Sequence, residues 1–170
     1  IQSVDHHQPD ILVITEFRNN KVSDQLLNNL SRIGFDSFQT PVSEIGLNSV
    51  LIASSYPTLP LGTKHVLAID SHRITAVEVN GINILGVYFA LRKKKETLFN
   101  YLLKDSDGLI GRDTLVLGDF NTGLINDDSR RKGFYCMSHL ERLEEVGLFD
   151  LWRKRNPHKN EYSWFSNAGN

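Results

Sequence analysis

Thr114-Leu115-Val116-Leu117-Gly118-Asp119-Phe120-Asn121 is the stretch on which the reading turns. A short apolar run closed by a turn signal reads as a buried strand over Thr114 to Leu117. Gly118 lets the backbone turn tightly, and Asp119 and Asn121, one residue apart, then point to the same side. A carboxylate acceptor and an amide donor on one side suit a water molecule and a phosphate oxygen. The same letters also serve as plain strand-end turn chemistry.

A second acid stands in a similar place. Asp10-Ile11-Leu12-Val13-Ile14-Thr15-Glu16 reads as a buried strand ending in Glu16. Sites in such sheets gather at strand ends, where side chains converge on a crevice. A carboxylate beside an apolar run is costly unless it is paired or holds a cation.

The chain between these strands alternates strand and helix signals. Val22, Leu26, Leu27, Leu30 and Ile33 repeat with helical period, and Gly34 follows them. Ser49 to Ser54, His65 to Ile69 and Arg73 to Val79 read as strands. Asn80-Gly81 then marks a hairpin, with Ile82 to Phe89 as the partner strand. Lys95 to Lys104 and Met137 to Val146 read as helices, with Gly147 ending the second. Leu148 to Trp152 and Tyr162 to Phe165 read as late strands or strand-like segments. Hairpins beside strand–helix–strand units imply two mixed sheets packed face to face with helices outside, an α/β sandwich in a single domain over 1–170.

Composition excludes several classes. The 170 residues are 40% hydrophobic and 23% charged, ordinary for a globular domain. The longest apolar runs, Ile11 to Ile14 and Val50 to Ala53, are too short to span a membrane. The single cysteine, Cys136, excludes an internal disulfide, and a reducing, cytoplasmic compartment is the default expectation. Cys136 itself reads as a buried or helix-start thiol, and Trp152 as a core residue. His6-His7 reads as an exposed helix end rather than a metal site. The net charge of −1 selects no partner, but residues 1–87 carry a balance of −3 and residues 88–170 one of +2. Positive charge clumps at Arg92-Lys93-Lys94-Lys95, Arg130-Arg131-Lys132 and Arg153-Lys154-Arg155. Such clumps are either solvated faces or phosphate-binding patches.

Taken in order, these segments resemble the endonuclease/exonuclease/phosphatase superfamily, which includes exonuclease III and deoxyribonuclease I. Pro9-Asp10 through Glu16 looks like its Pro-Asp-…-Glu strand. Asn48-Ser49-Val50-Leu51-Ile52-Ala53-Ser54-Ser55-Tyr56-Pro57 is similar to its Gly-Val-…-Ile-…-Ser-…-Pro segment. Gly86-Val87-Tyr88 resembles the strand carrying an active-site tyrosine, and Gly118-Asp119-Phe120-Asn121 matches a Gly-Asp-Phe-Asn signature. Asp150-Leu151-Trp152-Arg153 followed by Tyr162-Ser163-Trp164-Phe165 resembles the late segment. The likeness covers nearly all of residues 9–167.

The resemblance implies a four-layer α/β-sandwich and metal-dependent hydrolysis of a phosphodiester. Glu16 would hold Mg²⁺, with Mn²⁺ as a substitute. Asp119 would orient or deprotonate the attacking water, Asn121 would bind the scissile phosphate, and Tyr88 would lie near it. Read without the resemblance, Tyr88 is a core tyrosine. Asn48 and Trp164 would face the substrate; Trp164 stacks on a base or packs beside Phe165. The substrate would be DNA or another nucleic acid. The alternatives are a non-nucleic phosphoester, such as an inositol phosphate or phospholipid head group, and a non-catalytic binding relative. Two elements of the family pattern are missing from the sequence, an asparagine on a strand before Glu16 and a terminal Ser-Asp-His. Met137 is the only methionine. The sequence is therefore expected to begin part-way into a domain and to turn substrate over slowly.

Overall fold

The computed structural model describes residues 2–42, 46–111, 113–124, 133–159 and 161. The chain runs α1 (Gln2–His7), β1 (Ile11–Phe17), α2 (Lys21–Arg32), β2 (Ser37–Gln39), β3 (Ser49–Ser54) and β4 (Leu59–Pro60). A 3₁₀ segment (Ala68–Arg73) leads into β5 (Ile74–Val79) and β6 (Ile82–Tyr88). A second (Arg92–Lys95) leads into α3 (Glu96–Lys104). Then come β7 (Thr114–Asp119), α4 (Met137–Arg142), a 3₁₀ turn (Leu143–Val146) and α5 (Leu151–Arg155).

The strands form two sheets, ordered β1-β3-β2 and β4-β5-β6-β7. The three-stranded sheet is wholly antiparallel, contrary to the expectation of two mixed sheets. The four-stranded sheet is mixed, because β7 runs parallel to β6 after the helical crossover through α3. The sheets pack through Ile52, Val77, Val79 and Ile84, with Ile11 and Val13 against them. Outside the first sheet, α2 lays Leu26, Leu27 and Leu30 on Leu51 and Ala53. Outside the second, α3 buries Leu98, Phe99 and Leu102 on Leu85 and Val87. That is the four-layer α/β-sandwich.

Local chemistry fixes the main elements. Asn20 caps α2 by accepting from the Val22 and Ser23 amides, and the Ser23 hydroxyl answers from inside the first turn. Asn80 and Gly81 both have positive φ, 51° and 83°, which suits the two-residue β5–β6 hairpin.

Three expected elements differ. His65 to Ile69 is a loop entering the 3₁₀ segment, with Leu67 and Ile69 exposed. Its backbone turns at Asp70, whose amide donates to the Leu67 carbonyl, and Asp70 is buried because it holds Arg73 and Thr97. The segment expected as a strand over Leu148 to Trp152 ends in α5, because the Asp150 side chain caps the Arg153 amide at 2.9 Å. Trp152 on that helix is exposed, not core. Strand β7 is not fully buried: Leu115 and Leu117 are 37% and 38% exposed. β7 and β1 are the outer strands of their sheets and lie against each other, so among the described residues no strand lies beyond them. The segment Tyr162 to Phe165, with Trp164, lies outside the described residues, as does Arg130-Arg131-Lys132.

Candidate active site

Glu16 owes its position to an irregularity in β1. Leu12 and Ile14 face α2, while Ile11 and Val13 face the other sheet. Unbroken alternation would bury Glu16 beneath α2. Instead the register slips between Thr15 and Phe17, Phe17 pairs with Ser49, and Phe17 takes the place under α2. Glu16 becomes the extra residue of a bulge, with φ +57°, and its side chain is exposed.

Tyr88 reaches it from the opposite sheet. Along β6, Leu85 and Val87 face α3, so Ile84, Gly86 and Tyr88 face β1 and β3. A Cβ on Gly86 would lie 2.8 Å from Val50 Cγ1, so the glycine lets the sheets approach closely here. One step further on the same face, the Tyr88 hydroxyl donates to Glu16 Oε1 at 3.1 Å. The ring is buried, as a core tyrosine would be, yet its hydroxyl belongs to the site.

Asp119 is the strand partner of Tyr88 in the parallel β6–β7 pairing. Gly118 before it has φ +142°, and a Cβ there would lie 1.9 Å from the Val87 carbonyl oxygen, so no side chain fits. The turn after β7 is tied to the end of β6. The Phe89 amide donates to the Asp119 carbonyl at 2.8 Å, and Asn121 Nδ2 donates to the Phe89 carbonyl at 2.9 Å. Asn121 has φ +50°, and its amide donates to Asp119 Oδ1 at 2.7 Å. Phe120 stacks on Phe89 with centroids 4.8 Å apart. Among the described residues, these bonds engage Asp119 through Oδ1 and use one of the two Nδ2 protons of Asn121. Glu16, Tyr88, Asp119 and Asn121 come together where the ends of β1, β6 and β7 meet.

Asn48 lies beside Ser49, across the bulge from Phe17, and its Oδ1 accepts from Arg18 Nε at 2.5 Å. Its side-chain oxygen is thus engaged within the protein. Cys136, half-buried at the start of α4, matches its reading as a helix-start thiol, and burial pushes the thiol up.

Two residues of the site were not singled out by the sequence reading. Arg73 ends the 3₁₀ segment before β5, with its Cζ 5.3 Å from the centre of the Tyr88 ring. Its guanidinium donates weakly to the Tyr88 carbonyl, 3.5 Å away, and pairs with Asp70 at 3.4 Å. Asp70, 4% exposed, also accepts from the Thr97 hydroxyl. The signal was there as an acid three residues before an arginine at a strand start. The other is Lys95. Of the basic clump Arg92 to Lys95, only the first three side chains are exposed; Lys95 is 2% exposed and donates to the Asn121 carbonyl. It occupies the position of an apolar residue three, four and seven places before Leu98, Phe99 and Leu102, which betrays its inward side.

Arg73, Tyr88, Arg92, Lys93, Lys94 and Tyr135 line an open depression of about 580 Å³ next to the Glu16–Tyr88 contact. Arg153-Lys154-Arg155 lies on α5, where Arg153 pairs with Asp150 at 3.2 Å and Lys154 covers the Phe149 ring.

Among the described residues no cluster of three or more histidine, cysteine, aspartate or glutamate side chains could hold a metal. Glu16 offers one exposed carboxylate, with one oxygen engaged by Tyr88. That donor set fits a hard cation such as Mg²⁺, which keeps several waters and needs only one or two carboxylates plus a substrate phosphate. It does not fit a closed zinc-type cage. Likewise, no helix among the described residues is long and apolar enough to cross a membrane.

No protein-family model matches the sequence. Solved structures share its fold. A 3'-5' exonuclease (NExo) from Neisseria meningitidis superposes with a TM-score of 0.81 at 21% identity, over 98% of this chain and 72% of that one. A singly substituted 3' phosphatase NExo from Neisseria, bound to a product DNA hairpin, gives 0.79 at 21% identity, over 99% and 73%. An AP endonuclease from Archaeoglobus fulgidus gives 0.75 at 22% identity, over 98% and 71%. The four-layer sandwich of this chain is the fold of those enzymes.

Proposed function

We propose that this protein is a divalent-cation-dependent phosphodiester hydrolase of the endonuclease/exonuclease/phosphatase type, acting on nucleic acid. The observation that carries the reading is the meeting of Glu16 and Tyr88 across two sheets, with Asp119 paired to Tyr88 and Asn121 bonded to Asp119. In this reading Glu16 is the cation-binding carboxylate, Asp119 the water-orienting carboxylate and Asn121 the amide donor. Neighbours of the same fold that are named as nucleases and a 3' phosphatase support it.

In this reading Asp119 Oδ2 accepts a proton of the attacking water and aims it, while the Asn121 backbone amide fixes the carboxylate through Oδ1. The remaining Asn121 side-chain proton donates to a non-bridging phosphate oxygen. Tyr88 holds the Glu16 carboxylate in place. Glu16 would hold Mg²⁺ or Mn²⁺, which supplies fixed positive charge against the negative charge that develops on the phosphoryl oxygens. Displacement is in line, and catalysis is mainly positioning.

Nucleic acid is favoured over a small phosphoester by the basic depression beside the site. A polyanion continues past the cleaved bond and needs cations there, and Arg92, Lys93 and Lys94 supply them on an exposed surface. The test is to incubate the protein and Mg²⁺ with a labelled DNA oligonucleotide and, separately, with an inositol phosphate. Chelator-sensitive shortening of the oligonucleotide is expected. Phosphate release from the inositol ester alone would replace the substrate class, and no reaction with either would leave a binding protein.

A further inference from the structure

Lys95 has no part in the chemistry just described, yet it is buried against the residues that carry it. Arg92, Lys93 and Lys94 of the same 3₁₀ turn are exposed, while Lys95 folds inward. A buried ammonium is costly unless it is bonded. Its Nζ donates to the backbone carbonyl of Asn121. Burial pulls the ammonium below the ordinary lysine value, and Cys136 and Asp119 nearby act in the opposite direction.

The carbonyl it holds belongs to a residue in the left-handed region. Asn121 has φ +50°, a conformation uncommon among non-glycine residues but one that asparagine adopts more readily than most. The other bonds of the turn described above run between Asp119, Asn121 and Phe89, all at the ends of β6 and β7. The Lys95 bond enters from another element, the turn ahead of α3. It therefore references the Asp119–Asn121 turn to the helical layer as well as to the neighbouring strand.

We propose that Lys95 is a positioning residue that, through the Asn121 carbonyl, fixes the turn aiming the Asp119 carboxylate and the Asn121 amide, without touching substrate. The catalytic part of this inference rests on the phosphodiesterase reading of the site; the clamp itself does not. Lys93 and Lys94 differ in kind: they are exposed in the basic depression, where they would meet phosphates directly.

The two roles separate by experiment. Lys95→Met and Lys95→Gln are made in the full chain. Hydrolysis of a labelled DNA oligonucleotide with Mg²⁺ is followed at several salt concentrations, and amide hydrogen exchange is measured without substrate. The expected result is kcat lower by about 10–100-fold, with KM within about twofold and an unchanged salt slope. Adding Lys95→Met to an Asp119→Asn variant should cost little more, because both act through one group. Exchange at the Asn121 and Phe89 amides should quicken at least about tenfold, while that of Leu30 in α2 stays as it was. An unchanged kcat would overturn the proposal. So would a raised KM with a salt slope smaller by about one, the signature of a phosphate contact. If the wild-type protein cleaves nothing, the proposed function falls. The exchange data then still decide the clamp: faster exchange at Asn121 supports it and unchanged exchange overturns it. If Lys95→Met fails to fold, Lys95→Gln carries the test. Failure of both would make Lys95 a folding residue and overturn the positioning role.

Discussion

The hydroxyl of Tyr88 and the carboxylate of Glu16 meet at 3.1 Å across the two sheets of the sandwich. Each gets there by breaking the regularity of its surroundings. Glu16 is freed by a bulge that hands its buried place to Phe17, and Tyr88 follows a glycine that lets the sheets close. The contact thus joins Glu16 to the strand that Asp119 pairs with.

Removing that hydroxyl should loosen the carboxylate without unfolding the protein. Tyr88→Phe is expected to lower kcat about 10–100-fold and to weaken activation by Mg²⁺. The stability loss should be small, about 0.5–1.5 kcal/mol for one partly exposed hydrogen bond. A Mg²⁺ titration of activity alongside a urea melt checks both. An unchanged activity profile would remove Tyr88 from the site.

The glycines rank themselves by space. Gly118→Ala places a methyl 1.9 Å from the Val87 carbonyl and should destabilise the fold by more than about 3 kcal/mol. Gly81→Ala meets nothing within 4 Å and only has to hold φ +83°, so about 1 kcal/mol is expected. Urea denaturation of the two variants gives the order directly. Equal losses would mean that the β6–β7 approach is looser than described.

The basic depression sets a salt dependence. With about three to five phosphate contacts, the log–log slope of nucleic-acid affinity against salt should be near −3 to −4, and Lys93→Ala should reduce its magnitude by about one. Fluorescence anisotropy with a labelled oligonucleotide measures it. Affinity that is flat from low to moderate salt would favour a small phosphoester.

Away from the site, Asp107 ties the loop at His65 to the end of α3. It bonds His65 Nδ1 at 2.6 Å and accepts from the Tyr101 hydroxyl at 2.8 Å. Burial raises its carboxyl, but the bonds from His65 and Tyr101 outweigh burial and hold it below the usual range. A depressed folded value stabilises above the unfolded value near 3.9 and loses that contribution as pH falls through the folded one. Asp107→Asn should therefore flatten the fall in stability below about pH 4. Thermal melts of both proteins at a series of pH values from neutral to strongly acidic show it; parallel curves would assign the acid sensitivity elsewhere.

Much of this was legible in the chain because local signals agreed with the fold. Asn80-Gly81 demanded a hairpin, and the Gly118-Asp119 turn needed only the residue types. Other features depended on distant partners. The bulge at Glu16 exists because Phe17 pairs with Ser49, which no window around Glu16 contains. Lys95 read as one of four surface cations, although its helical spacing from Leu98 and Leu102 marked it as inward. The apolar letters of Val66 to Ile69 suggested a strand, but buried Asp70 imposed a turn. Capping by Asp150 likewise prevailed over the strand-like composition of Leu148 to Trp152.

The most direct test of the central claim is the Mg²⁺-dependent cleavage of a labelled DNA oligonucleotide by the wild-type protein and by Asp119→Asn, each with and without chelator. Cleavage by the wild type is expected, abolished by chelator and reduced at least about 100-fold by the substitution, with the fold intact. Cleavage that persists undiminished in Asp119→Asn, or that ignores the chelator, would contradict the assignment of this site.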